Sequence, residues 1–412
     1  MAAKKKVTKK RSGRSAFAGS SRCREQALLR PKHVEKLPPC RHACPSGNRI
    51  REFLTTIGQA QRLEKPTEQA FEQAWEIYTD TSPFPAVCGR VCPHLCETQC
   101  NRKALDGAVN INQIERAIGD FGLEKKLKLK TLSDEKRPEK IAVVGAGPGG
   151  LSCAYQLARR GYDVTVFEAA EKPGGRLLWG IPRHRLPADV LEGEIQKILD
   201  LGVQLKSDTP IGKDISLEYL RAQYQAVVGG HQRAGHQPKV GPEAWSVGPG
   251  AEKGWEFEVN GVCASGHAAS LALVSTAIGQ GRQTAESIDL KFRGKQAPEK
   301  SQPPLIQADR MRLDHYENKE RARAAALPVE QGPAGMDTEV NLPLSPAQVI
   351  EETSRCMSCG FCFDCEKCWL FCQEQAIDKP LGRGALYSFK PQNCTGCGKC
   401  AKECPCGFID ML

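Results

Sequence analysis

Residues 140–169 read KIAVVGAGPGGLSCAYQLARRGYDVTVFEA. KIAVV is a short, continuously apolar run and predicts a buried strand. GAGPGG is a turn, LSCAYQLARR a helix stopped by Gly161, and DVTVFEA a second strand, which together make one βαβ unit. Gly145, Gly147 and Gly150 give the spacing G-x-G-x-x-G, with Pro148 and Gly149 completing the loop. The first glycine permits the tight turn, the second lets the backbone approach a pyrophosphate, and the third lets helix and strand pack closely. The positive end of the helix then faces the phosphates. Glu168 ends the second strand, 18 residues past Gly150, where a carboxylate can accept both hydroxyls of an adenosine ribose. A lone glycine pattern is weak; this one has strand, helix and acid in place, and it predicts dinucleotide binding.

Outward from this unit the chain divides by composition. It has 412 residues, enough for two or three domains. Residues 1–36 form a basic tail in which nine Lys and Arg precede the first acid, Glu25. That tail accounts for nearly all of the net charge of +10, so the folded part is close to neutral and no nucleic-acid surface is implied. Residues 37–125 are helical and cysteine-bearing; Ala70, Phe71, Ala74, Trp75 and Tyr78 share one face at helical spacing and read as core. A Lys-rich connector leads to the dinucleotide domain at 139–294, with helices expected near 188–201 and 272–291. A linker region, 295–345, contains a charged helix candidate at 309–326. Residues 346–412 form a terminal cysteine domain. No apolar run is long enough to span a bilayer, and no apolar stretch follows the basic start as a secretory leader would require.

The 20 cysteines are clustered, seven within residues 1–100 and eleven within 356–406. Clustering of this kind suits metal or cofactor binding in a reducing cytoplasm better than a disulfide framework. Cys362, Cys365, Cys368 and Cys372 form C-x2-C-x2-C-x3-C, and Cys394, Cys397, Cys400 and Cys404 repeat it before Pro405. This is the spacing of a two-cluster ferredoxin. Its ligand sharing gives Cys362, Cys365, Cys368 and Cys404 to one [4Fe–4S] cluster, and Cys394, Cys397, Cys400 and Cys372 to the other. Tetrahedral zinc usually takes two CxxC pairs with a longer gap and fits poorly. Cys356, Cys359 and Cys406 are too few to complete a cluster by themselves and read as spare rather than as helpers of a further site.

Further motifs make the chain familiar. EKPGGRLLWGIPRHRLP (171–187) resembles the segment after the acidic strand in two-dinucleotide flavoproteins, where Gly174, Gly175 and Arg176 would run past the flavin; the dinucleotide is therefore expected to be FAD. CRHACPSGNRIREFL (40–54), CGRVCPHLCETQCNR (88–102) and AVNINQIERAIGD (108–120) resemble the small subunit of glutamate synthase and its iron–sulfur flavoprotein relatives. SRCMSCGFCFDC (354–365) resembles the branch with a fused ferredoxin tail.

That resemblance covers most of 37–228 and 271–412. It implies a helical Fe–S domain, an α/β Rossmann-like FAD domain and an α+β ferredoxin-like domain with two [4Fe–4S] clusters. It also implies an N-terminal cluster on Cys44, Cys92, Cys96 and Glu115, with a second site using Cys40 and Cys100. Two further family cysteines expected just before Cys40 are absent, with Lys32 and Glu35 in their stead and Cys23 as a candidate substitute. One or two N-terminal clusters are left open, and Cys88 matches a non-ligand position.

The family inserts a second, nicotinamide-binding Rossmann domain between two halves of the FAD domain. Here YQAVVGGHQR (224–233) matches the end of the first half and GVCASGHAASLALVSTAIGQGR (261–282) the start of the second. About 30 residues join them, the size of one βαβ unit and no more, so the nicotinamide domain is expected to be lost. The Gly-Asp that lies near the flavin in the family is Gly266–His267, and Thr276 and Ala277 would open a helix beside the flavin.

The expected function is an electron-transfer subunit with FAD and [4Fe–4S] clusters, hetero-oligomeric with a catalytic redox subunit or a soluble ferredoxin. No nucleophile–base constellation suggests other chemistry. The rivals are a complete NAD(P)H:acceptor oxidoreductase, a zinc-stabilised adaptor or nucleic-acid module, and a remnant scaffold without flavin.

Overall fold

The computed structural model describes residues 29–229, 262–264 (backbone only), 273–296, 302–327 and 339–412. The basic tail to residue 28 with Cys23, and Gly266 with His267, lie outside the described residues. Two compact units emerge: Glu35–Phe363 with Pro405–Gly407, and a smaller one from residues up to Val34, Asp364–Cys404 and Phe408–Leu412.

Strand β1 (Pro31–His33) belongs to the smaller unit. The larger unit begins with helices α1 (Ile50–Gly58), α2 (Thr67–Thr79), α3 (Pro85–Val91) and α4 (Ile111–Glu124). Ala70, Phe71, Ala74, Trp75 and Tyr78 are buried on one face of α2, as the 3.6-residue period requires. They pack with Phe53, Ile57, Phe84, Ile114 and Ile118 in a continuous core. Helices α3 and α4 cross at contact distance. A Cβ on Gly89 would lie 2.3 Å from the Arg116 backbone nitrogen, and one on Gly119 2.2 Å from that of Ala86. The crossing needs hydrogen at both positions.

The βαβ reading is realised as β2 (Lys140–Val144), α5 (Pro148–Ala158) and β3 (Asp163–Phe167). Helix α6 (Ala188–Leu199), β4 (Gln204–Lys206), α7 (Leu217–Gln223), β5 (Ala226–Gly229), β6 (Val262–Ala264) and α8 (Val274–Phe292) follow. The described strands of this unit form a sheet in the order β4-β3-β2-β5-β6, parallel throughout. Strands β2, β3 and β5 are apolar runs because both faces are covered, while the edge strand β4 is partly exposed. The Tyr155 hydroxyl donates to the Thr79 carbonyl at 2.6 Å, and Arg159 donates to Asp80, tying α5 to the end of α2.

The charged segment 309–326 is not a helix. Its regular structure is two 3-10 turns, the first starting just upstream at Ala308–Arg310 and the second at Leu313–His315. Its backbone groups are instead claimed by the helical part. Lys319 N–H donates to Asp106, Ala322 N–H donates to Glu352, and the Glu317 and Ala322 carbonyls accept from Arg102 and Asn110. Local propensity yields to these tertiary bonds. Residues expected as a linker are therefore a strap within the larger unit, with Ile306, Met311 and Leu344 buried. The strap leads to α9 (Pro346–Ser354), which starts with a capping box at Ser345 and Gln348. The boundary expected at 346 thus moves to 363, because α9 and the Cys356–Cys359 segment are part of the larger unit.

In the smaller unit β1 pairs antiparallel with β9 (Ile409–Met411), so the tail expected at 1–36 includes a structural strand. β7 (Ile377–Asp378) pairs with β8 (Ser388–Phe389). Its two cysteine runs fold alike. Each has a left-handed residue, Glu366 or Gly398, followed by a four-residue helix, Lys367–Leu370 or Lys399–Lys402.

Candidate functional site: thiol cavities beside a nucleotide loop

Helix α3 delivers Cys88 near its middle and Cys92 at its C-cap, one turn apart. The glycine crossing brings α4, and so Glu115, against them. His94, left-handed at φ 58°, redirects the chain into a short helix carrying Cys96. From the other side, Cys44 caps the short helix Pro39–Ala43. Cys44, Cys88, Cys92, Cys96 and Glu115 line one cavity together with Asn48, Tyr78 and Ser275. The four residues of the expected N-terminal ligand set are thereby brought together, and Cys88 stands with them.

Burial makes the thiols of this cavity resist ionisation. Burial pushes Cys44 up to about 12, with the Glu115 charge adding to it, and pushes Cys88 and Cys96 well up. Burial likewise pushes Glu115 to about 8; the Glu97 charge adds to this, while a hydrogen bond with Asn48 opposes it. The buried Tyr78 and Ser275 hydroxyls have no nitrogen or oxygen partner and face the thiols of Cys88 and Cys92. Thiols held this way become thiolates only with a cationic core between them. Among the described residues no group of three or more His, Cys, Asp or Glu is arranged to hold a single metal ion. Cys44, Cys92, Cys96 and Glu115 around one cavity, with Cys88 beside them, supply enough donors for the four ligands of a cubane.

Cys40 and Cys100 line a second cavity, in which the structure sets Cys356 and Cys359 beside them. Two of the three thiols that spacing alone left spare thus stand beside thiols 256–319 residues upstream. Three unassigned thiols downstream, Cys356, Cys359 and Cys406, against a deficit of two before Cys40 were the available signal. In the smaller unit Cys372, Cys394, Cys397 and Cys400 line a third cavity, the set that ferredoxin sharing assigns to one cluster. The two fourth cysteines match: Cys372 Sγ accepts from Ala376 N–H and Cys404 Sγ from Phe408 N–H, both at 3.3 Å. The set of Cys362, Cys365, Cys368 and Cys404 rests on its spacing.

At the glycine loop, Gly145 has φ 101°, and a Cβ on Gly150 would lie 2.0 Å from the Gly145 carbonyl oxygen. A Cβ on Gly147 would meet nothing within 4 Å, so the loop leaves open room at the N-terminus of α5, where a pyrophosphate would sit. The Glu168 carboxylate accepts from the Ala146 N–H at 2.6 Å and the Ala170 N–H at 3.0 Å, which fixes it at the loop. Gly174 N–H donates to the Ala146 carbonyl, and Gly175 precedes a short helix starting at Arg176. Thr276 and Ala277 lie in the first turn of α8.

Helix α8 connects the two chemistries. A Cβ on its Gly281 would lie 2.1 Å from the Gly149 carbonyl oxygen, and Ser152 donates to the Ile278 carbonyl. At its start Ser275 lines the first thiol cavity, and its carbonyl accepts from Ser46 at 2.7 Å. Sequence reading placed this helix near the flavin but gave no hint that it also walls the cysteine site. Among the described residues no helix is long and apolar enough to cross a membrane.

Residues 2–127 match the family model described as dihydropyrimidine dehydrogenase domain II, 4Fe-4S cluster, and residues 143–188 match the NAD(P)-binding Rossmann-like domain. The chain is 40% identical over 191 residues to the NADPH-Fe(3+) oxidoreductase subunit beta of Geobacter sulfurreducens, covering 46% of this chain and 27% of that one. It is 36% identical over 192 residues to the NAD-dependent dihydropyrimidine dehydrogenase subunit PreT of Salmonella typhimurium, covering 46% and 44%. Against the glutamate synthase [NADPH] small chain of Bacillus subtilis it is 39% identical over 185 residues, covering 45% and 36%. The chain thus spans less than half the length of these relatives.

Proposed function

Taking the chain as a member of the iron–sulfur flavoprotein family over the first half of its length, we propose that it is an electron-transfer subunit. It holds FAD at the glycine loop and [4Fe–4S] clusters on its cysteines, and relays electrons between flavin and a catalytic redox subunit or a ferredoxin. One observation carries this reading: α8 packs its glycine on the nucleotide loop and its first turn on the Cys44–Cys92–Cys96 cavity. When bound, flavin exchanges electrons in pairs or singly and clusters pass them one at a time.

The residues divide the work. Gly145, Gly147 and Gly150 let the α5 N-terminus cradle a pyrophosphate, and Glu168 takes the ribose side. Cys44, Cys92, Cys96 and Glu115 are the protein ligands nearest the flavin helix. Burial of Tyr78, Cys88, Cys96 and Glu115 around this set limits the access of solvent to a one-electron carrier. The repeated run at Cys362–Cys372 and Cys394–Cys404 forms a ferredoxin-like exit.

Anaerobic purification with flavin and iron counted per chain tests this. The expected result is FAD near one per chain with iron in excess of two clusters. Gly150→Val, which drives a side chain into Gly145, should release the flavin and leave the iron. Iron-rich protein with no flavin would overturn the flavin half of the reading; colourless, iron-free protein would overturn all of it.

A further inference from the structure

We propose that Cys40, Cys100, Cys356 and Cys359 together bind a further [4Fe–4S] cluster, with the last two ligands supplied from beyond the FAD domain. The inference deepens the electron-transfer reading and rests on it for the identity of the metal centre.

Four thiols surround one cavity and none of the four is in a disulfide. A closed set of four thiolates is the donor set of a cubane. The remaining wall is apolar, with Leu54, Val109 and Ile111, apart from Arg51, Asn101 and Arg102. Both arginines are buried. A sulfide-bridged iron core offsets part of the four thiolate charges, and the two guanidinium groups, themselves paired with Glu35 and Glu52 and with Asp106, stand at the wall.

The downstream segment is built into this wall. The Arg51 guanidinium donates to the Lys36 and Cys359 carbonyls, both at 3.1 Å. Arg355, fully buried, donates to Glu352 at 2.6 Å, to Asp106 at 2.9 Å and to the Gly107 and Ala108 carbonyls. Arg102 donates to the Arg355 carbonyl at 2.6 Å. Residues 355–359 are thereby held to the two segments that carry Cys40 and Cys100.

The two N-terminal sites also share their scaffolding. Cys40 and Cys44 flank one helical turn, and Cys96 and Cys100 another. One member of each pair lines each cavity, so neighbouring ligands of the two sites lie about one turn, ~6 Å, apart. Cys359 precedes Cys362 by three residues, within about 11 Å for any extended chain. The site therefore stands beside the Cys44 cavity within the larger unit.

The test uses the full chain, purified anaerobically, with iron, acid-labile sulfide, zinc and flavin counted. Replacing Cys356→Ser and Cys359→Ser together should lower iron and sulfide by about four each per chain, with flavin and the other iron retained. Cys23→Ser should lower neither. Unchanged iron in the double variant, zinc in the wild-type chain lost with those two thiols, or loss of four irons in Cys23→Ser would overturn the assignment. If the double variant does not fold, alkylation of the wild-type chain during stepwise iron removal replaces it. Cys40, Cys100, Cys356 and Cys359 should label as one group as iron leaves, and labelling of Cys356 and Cys359 while iron is full would overturn it. An iron-free wild-type chain would instead fail the electron-transfer reading as a whole, which separates the two failures.

Discussion

Single buried ionisable groups set how the scaffold answers to pH and mutation. Glu194 on α6 accepts from the Ala86 and Val87 N–H groups at 2.7 and 3.0 Å, capping α3, the helix that carries Cys88 and Cys92. Burial pushes its carboxyl up to about 8, against the pull of those two hydrogen bonds. The folded chain then keeps a proton that the unfolded chain releases near the ordinary carboxylate value, so between the two the folded form binds more protons. By linkage, this stability is full at the acidic end and is lost as pH rises through about 8. Thermal midpoints taken anaerobically at about pH 5 and pH 8 should show a smaller fall in Glu194→Gln than in wild type; equal falls would rule the group out. Arg355 gives a second case. Replacing it with Met leaves Glu352 without its cation and leaves Asp106 with Arg102 alone, and breaking a buried pair from one side costs ~3–5 kcal/mol. Denaturant unfolding of Arg355→Met should show a loss of that order, where an exposed pair such as Lys172–Glu192 should give under ~1 kcal/mol on removal.

Helices and strands show what was legible before any coordinates. The βαβ unit, the buried face of α2, and α6 and α8 to within two residues at either end follow from periodicity and glycine spacing, because local pattern and tertiary demand agree there. The segment 309–326 breaks that agreement. Its Ala- and Arg-rich stretch favours a helix, yet Asp106, Glu352, Arg102 and Asn110 compete for its backbone from distant positions, and no local window contains them. The pairing of Cys356 and Cys359 with Cys40 and Cys100 was hidden for the same reason. The α3–α4 crossing, which comes from the structure and not from any sequence motif, has a sharp consequence. A methyl group at Gly89 has to sit 2.3 Å from the Arg116 nitrogen, so the helices must part. Overpacking of this kind costs ~1–3 kcal/mol or more. Gly89→Ala should therefore lower the unfolding midpoint and also reduce iron per chain, since the crossing holds Cys92 to Glu115; Gly382→Ala, where the added carbon meets nothing and φ is not positive, serves as a mild control.

At the scale of the whole molecule, the question is how electrons enter. β5 and β6 are adjacent and parallel, paired from Val227–Val262 to Gly229–Ala264. The chain between them, residues 230–261, has 32 residues. A parallel crossover alone takes a dozen or more, and a nucleotide-binding βαβ unit needs about 30. A second full dinucleotide domain does not fit in that length, whatever form the segment takes. The relatives whose names include NADPH are matched over 46% or less of this chain and 27–36% of their own length, so nicotinamide chemistry in them does not carry over by similarity alone. Electrons should then enter or leave through the clusters. Adding NADPH or NADH to the isolated chain without oxygen should leave the flavin band near 450 nm (roughly, as for flavins bound to protein) unbleached over minutes, whereas dithionite should bleach it. If the nicotinamide nucleotide bleaches the flavin promptly, this chain has its own hydride site, and the wire becomes a complete NAD(P)H:acceptor oxidoreductase. If bleaching needs an added partner subunit, the partner brings the electrons and the division of labour stands.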